Sequence, residues 1–139
     1  MSDLTKTLAL SASGMQAQAQ RLRHVSENIA NNDTPGYRRK LTSFEAVMAP
    51  LTADPTRGSS DRMELVRARD VQLDRRELPM VFDPGHPLAD ESGHYRGSNV
   101  DLVIEIADAR EAQRSYEANL KLFDQARQMT MSLLEQLRR

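Results

Sequence analysis

Residues 83–94, DPGHPLADESGH, carry two histidines and two aspartates within a short stretch and are the first candidates for chemistry. Imidazole and carboxylate groups bind zinc and other divalent metals. The spacing of Asp83, His86, Asp90 and His94 matches no familiar zinc pattern, and the stretch is rich in turn residues. We therefore expect no metal or other cofactor here, but a structured loop that presents its apolar neighbours to another molecule.

The rest of the chain has few residues that could act in catalysis. His24 stands beside Val25 on a helical stripe, where a packed or surface histidine is more ordinary than a catalytic base. No Ser-His-Asp order, phosphate-binding loop or dinucleotide glycine pattern is present. The chain has no cysteine, which excludes thiol catalysis and cysteine metal sites. We expect that this protein is not an enzyme.

Composition limits the other function classes. The 139 residues include 19 basic and 20 acidic side chains, so no overall field attracts nucleic acid, and we expect no nucleic-acid partner. No run of about 18 apolar residues occurs, so we expect no direct membrane insertion. Aromatic residues make up 4% of the chain and the mean hydropathy is -0.62. Such a chain has little material for a compact core, so we expect it to bury apolar surface against neighbouring molecules.

The N-terminal segment predicts a long amphipathic helix over residues 4–29. Leu8, Met15, Leu22 and Ile29 recur at intervals of seven, which is the spacing of a coiled-coil seam. Gly14 lies inside this helix and costs about 1 kcal/mol relative to alanine. We expect that another helix packs closely there, where the missing side chain permits the approach.

A second long helix is predicted from about Asp101 to Leu137, with Ser98 and Asp101 as a capping box. It carries two stripes. The first comprises Leu102, Ile106, Ala109, Gln113, Tyr116, Leu120, Phe123, Thr130, Leu134 and Leu137, and the second Ala112, Ser115, Asn119, Leu122, Ala126, Met129 and Leu133. Each stripe requires a surface to pack against. We expect the N-terminal helix to pack against one stripe and a different subunit or protein to pack against the other.

The middle of the chain, residues 41–98, holds five of the six prolines and reads as loops with short strands. Partial alternation predicts one strand within residues 64–74 and another over residues 78–82, with mutual pairing as a plausible arrangement. Residues 49–60 read as a flexible excursion. The predicted fold is thus mainly α, with long N- and C-terminal helices paired as a coiled coil around a loop-rich middle. Its segments are residues 1–31, 32–98 and 99–139.

Residues 26–40, SENIANNDTPGYRRK, mark the end of the first helix. Residues 31–36 all compete with or break helical hydrogen bonding, and Pro35-Gly36 fits the centre of a type II turn. A helix end followed by a solvated loop accounts for this geometry, and so does a contact surface. We expect the cations of residues 38–40 to contact acidic side chains of an adjacent subunit rather than phosphates.

This stretch resembles the motif near the N-terminus of the bacterial flagellar rod and hook family, in which a helix ends in S-x-N-(I/L)-A-N before T-P-G-Y and basic residues. Residues 80–93, MVFDPGHPLADESG, and residues 99–131 are similar to the middle signature and the C-terminal helix of a proximal-rod member. The resemblance implies a structural subunit of the proximal rod, which polymerises into the helical shaft that transmits motor torque across the periplasm. It implies contacts with copies of itself, other rod proteins, the basal-body base and the distal rod. It also implies passage through the flagellar type III export apparatus without a cleaved signal peptide.

The residues expected at subunit interfaces lie on both helices and in the turn between them. They are Leu8, Met15, Leu22, Ile29, Asn31, Pro35, Gly36, Tyr37, Arg38, Tyr116, Asn119, Leu120 and Phe123. Residues 97–101, GSNVD, stand where the resemblance suggests tyrosine-proline before asparagine-valine, so a sister proximal-rod protein is the nearest alternative. A soluble coiled-coil adaptor or export chaperone is the alternative from a different class.

Overall fold

The computed structural model describes residues 2–50 and 62–138, with a long helix at each end and three pairs of short strands between them. The elements are α1 (Ser2–Ala30), β1 (Lys40–Leu41), β2 (Phe44–Pro50), β3 (Arg62–Ala68), β4 (Gln72–Leu73), β5 (Met80–Phe82), β6 (His94–Arg96) and α2 (Leu102–Leu137). This order confirms the predicted terminal helices and strand-containing middle, with roughly half of the chain helical. Neither described helix is long and apolar enough to cross a membrane.

The turn after α1 has the predicted geometry. The helix ends at Ala30, and Gly36 adopts a φ of 75°, in the left-handed region that favours glycine. The amide of Tyr37 donates to the carbonyl oxygen of Thr34 at 3.1 Å, which closes the four-residue turn. A positive φ at the third residue of a hydrogen-bonded turn is the mark of type II, as the Pro35-Gly36 pair predicts.

Replacing Gly36 with alanine should lower the free energy of unfolding by about 1–2 kcal/mol, because a side chain is strained at this positive φ. No heavy atom lies within 4 Å of a Cβ built at Gly36, so backbone strain is the expected cause. Gly85→Ala is the matched control, since Gly85 has no positive φ and its added Cβ meets Asp83 Oδ1 at an ordinary 3.5 Å. Urea unfolding of both purified variants checks the prediction, and equal losses would contradict it.

The strand pairing differs from the prediction. Residues 64–74 contain parts of two strands, of which β3 pairs with β2 and β4 pairs with β1, while β5 pairs with β6. The predicted pairing between residues 64–74 and 78–82 is therefore wrong. Strand β2 was not predicted because alanine and proline have low strand propensity. Strand β5 pairs with β6 because the turns of residues 83–93 bring the two strands together. Residues 51–60 of the predicted flexible excursion lie outside the described residues, whereas Ala49 and Pro50 belong to β2.

The two helices pack antiparallel at close range. Asn28 of α1 meets Glu105 of α2, and Gly14 lies against Asn119 further along the pair. A Cβ built at Gly14 would come within 2.9 Å of both Asn119 Oδ1 and Asn119 Nδ2, a separation that real side chains do not adopt. The prediction that Gly14 permits close helix packing is therefore confirmed.

The fully buried side chains of the two helices are mostly small or polar. The buried positions on α2 are Glu105, Ala112 and Ala126, whose spacings are seven and fourteen residues. The buried positions on α1 are Ser11, Ala17, His24, Val25 and Asn28. The residues of the predicted α1 seam are half-buried at Leu8, Met15 and Leu22 and exposed at Ile29. Strand β3 also lies against α1, where the Val66 amide donates to Ser13 Oγ at 3.2 Å.

The start of α2 has a simpler cap than the predicted capping box. Asp101 is itself the N-cap, and its Oδ1 accepts hydrogen bonds from the amides of Val103 at 2.9 Å and Ile104 at 3.4 Å. Ser98 Oγ instead accepts from the amide of Val100 at 3.2 Å. The capping-box prediction is therefore wrong, because Asp101 stands one residue before the helix rather than at its third position.

Asp101→Ala should lower the free energy of unfolding by about 1 kcal/mol, because it leaves two helix amides without their acceptor. Asp101→Asn keeps a side-chain oxygen at the cap and should lose less than about 0.5 kcal/mol. Thermal unfolding of both variants measures the difference. A loss as large for asparagine as for alanine would show that the charge matters rather than the cap.

Candidate functional site at the junction of the two helices

The end of α1, residues 37–40 and the start of α2 meet in a hydrogen-bonded cluster that we call the polar junction, in which Asn28 and Glu105 are buried. It consists of Asn28, Tyr37, Arg39, Lys40, Asn99 and Glu105. Asn28 is 1% exposed, and its Nδ2 donates to Glu105 Oε2 at 3.1 Å and to the Lys40 carbonyl oxygen at 3.0 Å. Its Oδ1 accepts from the Tyr37 hydroxyl at 3.0 Å and from the Lys40 amide at 2.8 Å. Both donors and both acceptor positions of this amide are satisfied, as burial requires.

Glu105 supplies the buried charge of the polar junction. Its side chain is fully buried, and Oε1 forms an ion pair with Arg39 Nε while Oε2 accepts from Asn28. The Arg39 amide donates to Asn99 Oδ1 at 2.6 Å, so the arginine is held by backbone and side chain together. A buried carboxylate is costly without partners, and here a cation and an amide both meet it.

Two members of the polar junction, Lys40 and Tyr37, and the adjacent Glu27 have shifted pKa values. A hydrogen bond from Lys40 lowers the pKa of Glu27, and the same bond raises the pKa of Lys40. Their ion pair joins α1 to β1. Burial raises the pKa of the Tyr37 hydroxyl, which therefore stays protonated at neutral pH and donates to Asn28.

Arg38 extends the polar junction to the middle region. Its Nη1 donates to the carbonyl oxygens of Asp74 at 3.0 Å and Arg76 at 2.9 Å, while the Asp74 amide donates to Arg39 O at 2.8 Å. Asn99 Nδ2 also donates to Asp74 O at 3.3 Å. The segment after β4 is thereby hydrogen-bonded both to the residues that follow the turn and to Asn99, just before α2.

The cations after the turn find acidic partners within their own chain. Arg39 pairs with Glu105 and Lys40 with Glu27, so the expectation that they meet acidic groups of an adjacent subunit is wrong for these two. The reason is that the type II turn sends the chain back across the end of α1. Of the predicted interface residues in the turn, Asn31 donates to Glu27 O at 2.8 Å, and Pro35 is half-buried beside exposed Gly36.

Sequence reasoning did not single out Asn28, Asn99 or Glu105 as members of a site. Asn28 stands in the quoted helix-end motif, but nothing in its neighbours reveals its partners. Glu105 did leave a signal, because it lies seven residues before Ala112 and thus puts a charge in line with a stripe of buried positions. A charged residue at such a position is rarely buried without a partner, so the position of Glu105 indicates that a cation lies close to it in the folded chain.

The first stripe of α2 remains largely open to solvent. Leu120 is 41% exposed, and Leu102, Ile106 and Leu134 are exposed to a similar degree. Tyr116 and Phe123 are half-buried, as is Asn119, which faces α1 at Gly14. We call the positions Leu102, Ile106, Tyr116, Leu120, Phe123 and Leu134 the outer stripe. A helix pair that buries alanine and exposes leucine has its larger apolar surface free for another molecule.

The stretch with two histidines forms a compact hairpin. The His86 ring stacks on Tyr95 with centroids 4.0 Å apart, and the Phe82 ring lies 5.0 Å from that of His94. Asp90 accepts from Ser92 Oγ at 2.6 Å and from the His94 amide at 3.1 Å, and these bonds lower its pKa. Within residues 2–50 and 62–138, no group of three His, Cys, Asp or Glu side chains is arranged to hold a metal ion.

Comparison with known protein families connects both ends of this architecture to one class. Residues 8–38 match the family model described as flagella basal body rod protein, and residues 91–137 match that described as flagellar basal body rod FlgEFG protein C-terminal. The first match spans most of α1 and the turn after it, and the second spans β6 and α2. Both matches define the class as that of flagellar basal-body rod proteins.

Whole-chain similarity narrows the class. The chain is 39% identical to the flagellar basal-body rod protein FlgC of Agrobacterium fabrum, with 99% of this chain and 98% of the relative covered. It is 38% identical to FlgC of Aquifex aeolicus, with 88% and 89% covered, and 31% identical to FlgC of Bacillus subtilis, with 93% and 95% covered. The chain belongs to the FlgC family of flagellar basal-body rod proteins. This membership favours a FlgC-type rod subunit over a sister proximal-rod protein and over the soluble coiled-coil adaptor or export chaperone.

Proposed function

We propose that this protein is a structural subunit of the proximal rod of the bacterial flagellar basal body. In that role it polymerises with neighbouring subunits into the helical shaft that transmits motor torque across the periplasm. The observation that carries the proposal is the helix pair of a FlgC-family chain, which buries mostly small and polar side chains and leaves most of the outer stripe exposed. Side-by-side packing of such pairs would bury the outer stripe, and contacts that do not close produce a filament.

The interface residues of this proposal are the apolar positions on both helices together with the turn. On α1 they are Leu8, Met15, Leu22 and Ile29, and on α2 they are Tyr116, Asn119, Leu120 and Phe123. In the turn they are Asn31, Pro35, Gly36, Tyr37 and Arg38. We propose that α1 and α2 pair as a coiled coil, a reading supported by the heptad spacing of Glu105, Ala112 and Ala126. Residues 1–31, 32–98 and 99–139 then act as inner helix, outer region and inner helix.

The partners in this proposal are copies of the chain, other rod proteins, the basal-body base and the distal rod. The chain reaches the periplasmic rod through the flagellar type III export apparatus, without a cleaved signal peptide. Its role is mechanical rather than catalytic. Support comes from its relatives, which are flagellar basal-body rod proteins.

Mass spectrometry of detergent-extracted basal bodies tests the proposal. The parent strain should contain the protein at several copies per particle, and a strain that lacks it should assemble no rod and should not swim. Restoring the chain on a plasmid is the control for effects on neighbouring genes. Intact basal bodies in the strain without the chain would contradict the proposal.

A further inference from the structure

The free edge of strand β2 is an interaction surface separate from the helix pair. Along one side β2 pairs with β3, and β3 lies between β2 and α1. Among the described residues no strand pairs with the other side of β2. This edge is seven residues long, which is enough for a complete additional strand.

The hydrogen bonds of the hairpin identify the backbone groups that this edge offers. The Arg69 amide donates to the Ser43 carbonyl oxygen at 2.9 Å, and alternate residues of an antiparallel strand point the same way. Odd-numbered residues of β2 therefore direct their amides and carbonyls at β3, and even-numbered residues direct theirs away from it. The Val66 amide, which donates to Ser13 on the far side of β3, obeys the same alternation. The outward-directed residues with an amide are Phe44, Ala46 and Met48.

The side chains beside these outward groups are apolar and exposed. Phe44 is 37% exposed, Met48 is 58% exposed, and Val66 on the same face of β3 is 36% exposed. The charged side chains of this face, Arg62 and Glu64, lie on β3 rather than on the edge strand. Natural edge strands are commonly protected by lysine, an inward charge or a bulge. Residues 44–49 of β2 place no charge on this face.

Glu45, the charged residue within β2, does not protect the edge either. It lies on the opposite face and accepts from Arg67 Nη2 at 2.6 Å and from Arg69 Nε at 3.2 Å. Hydrogen bonds from Arg67 and Arg69 lower its pKa, so it remains paired with these arginines at neutral pH. The Glu45 carboxylate is thus paired within the β2–β3 hairpin and does not shield the edge of β2.

We propose that the free edge of β2 pairs with an extended segment of a neighbouring rod subunit, which adds a third strand to the β2–β3 hairpin. A row of alternating amides and carbonyls is satisfied by another extended backbone, and the exposed Phe44 and Met48 select apolar side chains at alternate positions of that segment. Pairing of β2 with β2 of a second copy would close a two-fold dimer, whereas a rod grows through contacts that do not close. The inference rests on the proposed function, because the rod supplies the neighbour.

Ala46→Pro tests this pairing without disturbing the hairpin. The Ala46 amide points away from β3, so proline removes an edge donor and places its ring on the edge, while the bonds to β3 remain. Ala46→Val keeps the amide and is the matched control. Both purified variants should have the same circular dichroism and unfolding midpoint. In cells, Ala46→Pro should reduce the number of assembled rods and the swimming rate at least tenfold relative to Ala46→Val.

A photoreactive benzoylphenylalanine at Met48 gives a second test that does not depend on proline. Irradiated basal bodies should contain a covalent adduct between this chain and a rod subunit, and irradiated purified chain should not. Absence of the adduct, or normal rods with Ala46→Pro, would overturn the edge proposal. A purified Ala46→Val dimer that Ala46→Pro converts to monomer would assign the edge to two-fold pairing and overturn it as well. Rods that form without this chain would contradict the proposed function, whereas rods that require the chain but tolerate Ala46→Pro contradict the edge proposal alone.

Discussion

Glu105→Ala is expected to lower the free energy of unfolding by about 3–5 kcal/mol, the usual cost of removing one partner of a buried ion pair. The substitution leaves Arg39 without its carboxylate and removes one acceptor from the Asn28 amide. The helix pair would lose its connection to residues 37–40 at the same time. Urea unfolding of the purified chain measures the effect, and swimming at raised temperature should be lost before swimming at low temperature.

Two variants separate the buried pair from general effects of lost charge. Glu111 is 71% exposed in its side chain and lies 3.4 Å from Arg21, so Glu111→Ala should change stability by less than about 0.5 kcal/mol. Glu105→Gln keeps an oxygen that can accept from Asn28 and should fall between wild type and Glu105→Ala. Similar losses for Glu111→Ala and Glu105→Ala would contradict the role assigned to the polar junction.

Leu120→Glu is expected to abolish rod assembly while leaving the isolated chain as stable as wild type. The side chain is 41% exposed in the monomer, so a carboxylate there remains hydrated until a neighbour covers it. Covering an unpaired carboxylate costs several kcal/mol, which corresponds to a loss of at least a hundredfold in the association constant. Counting rods by electron microscopy and measuring swimming halos test the expectation.

Leu120→Met is the matched control, because it keeps an apolar side chain of similar volume and should preserve both rods and motility. Unfolding of the purified variants shows whether either substitution acts on the monomer instead. Normal rods with Leu120→Glu would exclude Leu120 from the subunit interface. Loss of stability in the isolated chain would assign the residue to the internal packing of the helix pair.

The helices and the turn could be predicted from the sequence because their signals are local. Heptad spacing, a run of six helix-breaking residues and the pair Pro35-Gly36 each act within a few residues of the structure they produce. Gly14 was informative for the same reason, since a glycine inside a long helix has a cost that close packing explains. The family resemblance of residues 26–40 was local as well.

The polar junction could not be predicted because its partners are distant in sequence. Asn28 and Glu105 are separated by 77 positions, and their hydrogen bond exists only once α1 and α2 have packed. Which of the twenty acidic residues would meet Arg39 depends on the register of that packing. Apolar spacing alone also does not distinguish a surface that packs against a neighbouring molecule from one that packs within the chain.

The antiparallel register of the helices also gives the pair two unlike ends. Asn28 faces Glu105 and Gly14 faces Asn119, so the same register brings the start of α1 level with about residue 131 of α2. Near Ala30 the two helices finish almost flush, whereas the last turns of α2 project beyond α1 and expose Leu133, Leu134 and Leu137. A building block with one blunt end and one protruding apolar end differs along its length, so an array of such blocks in one orientation has a direction.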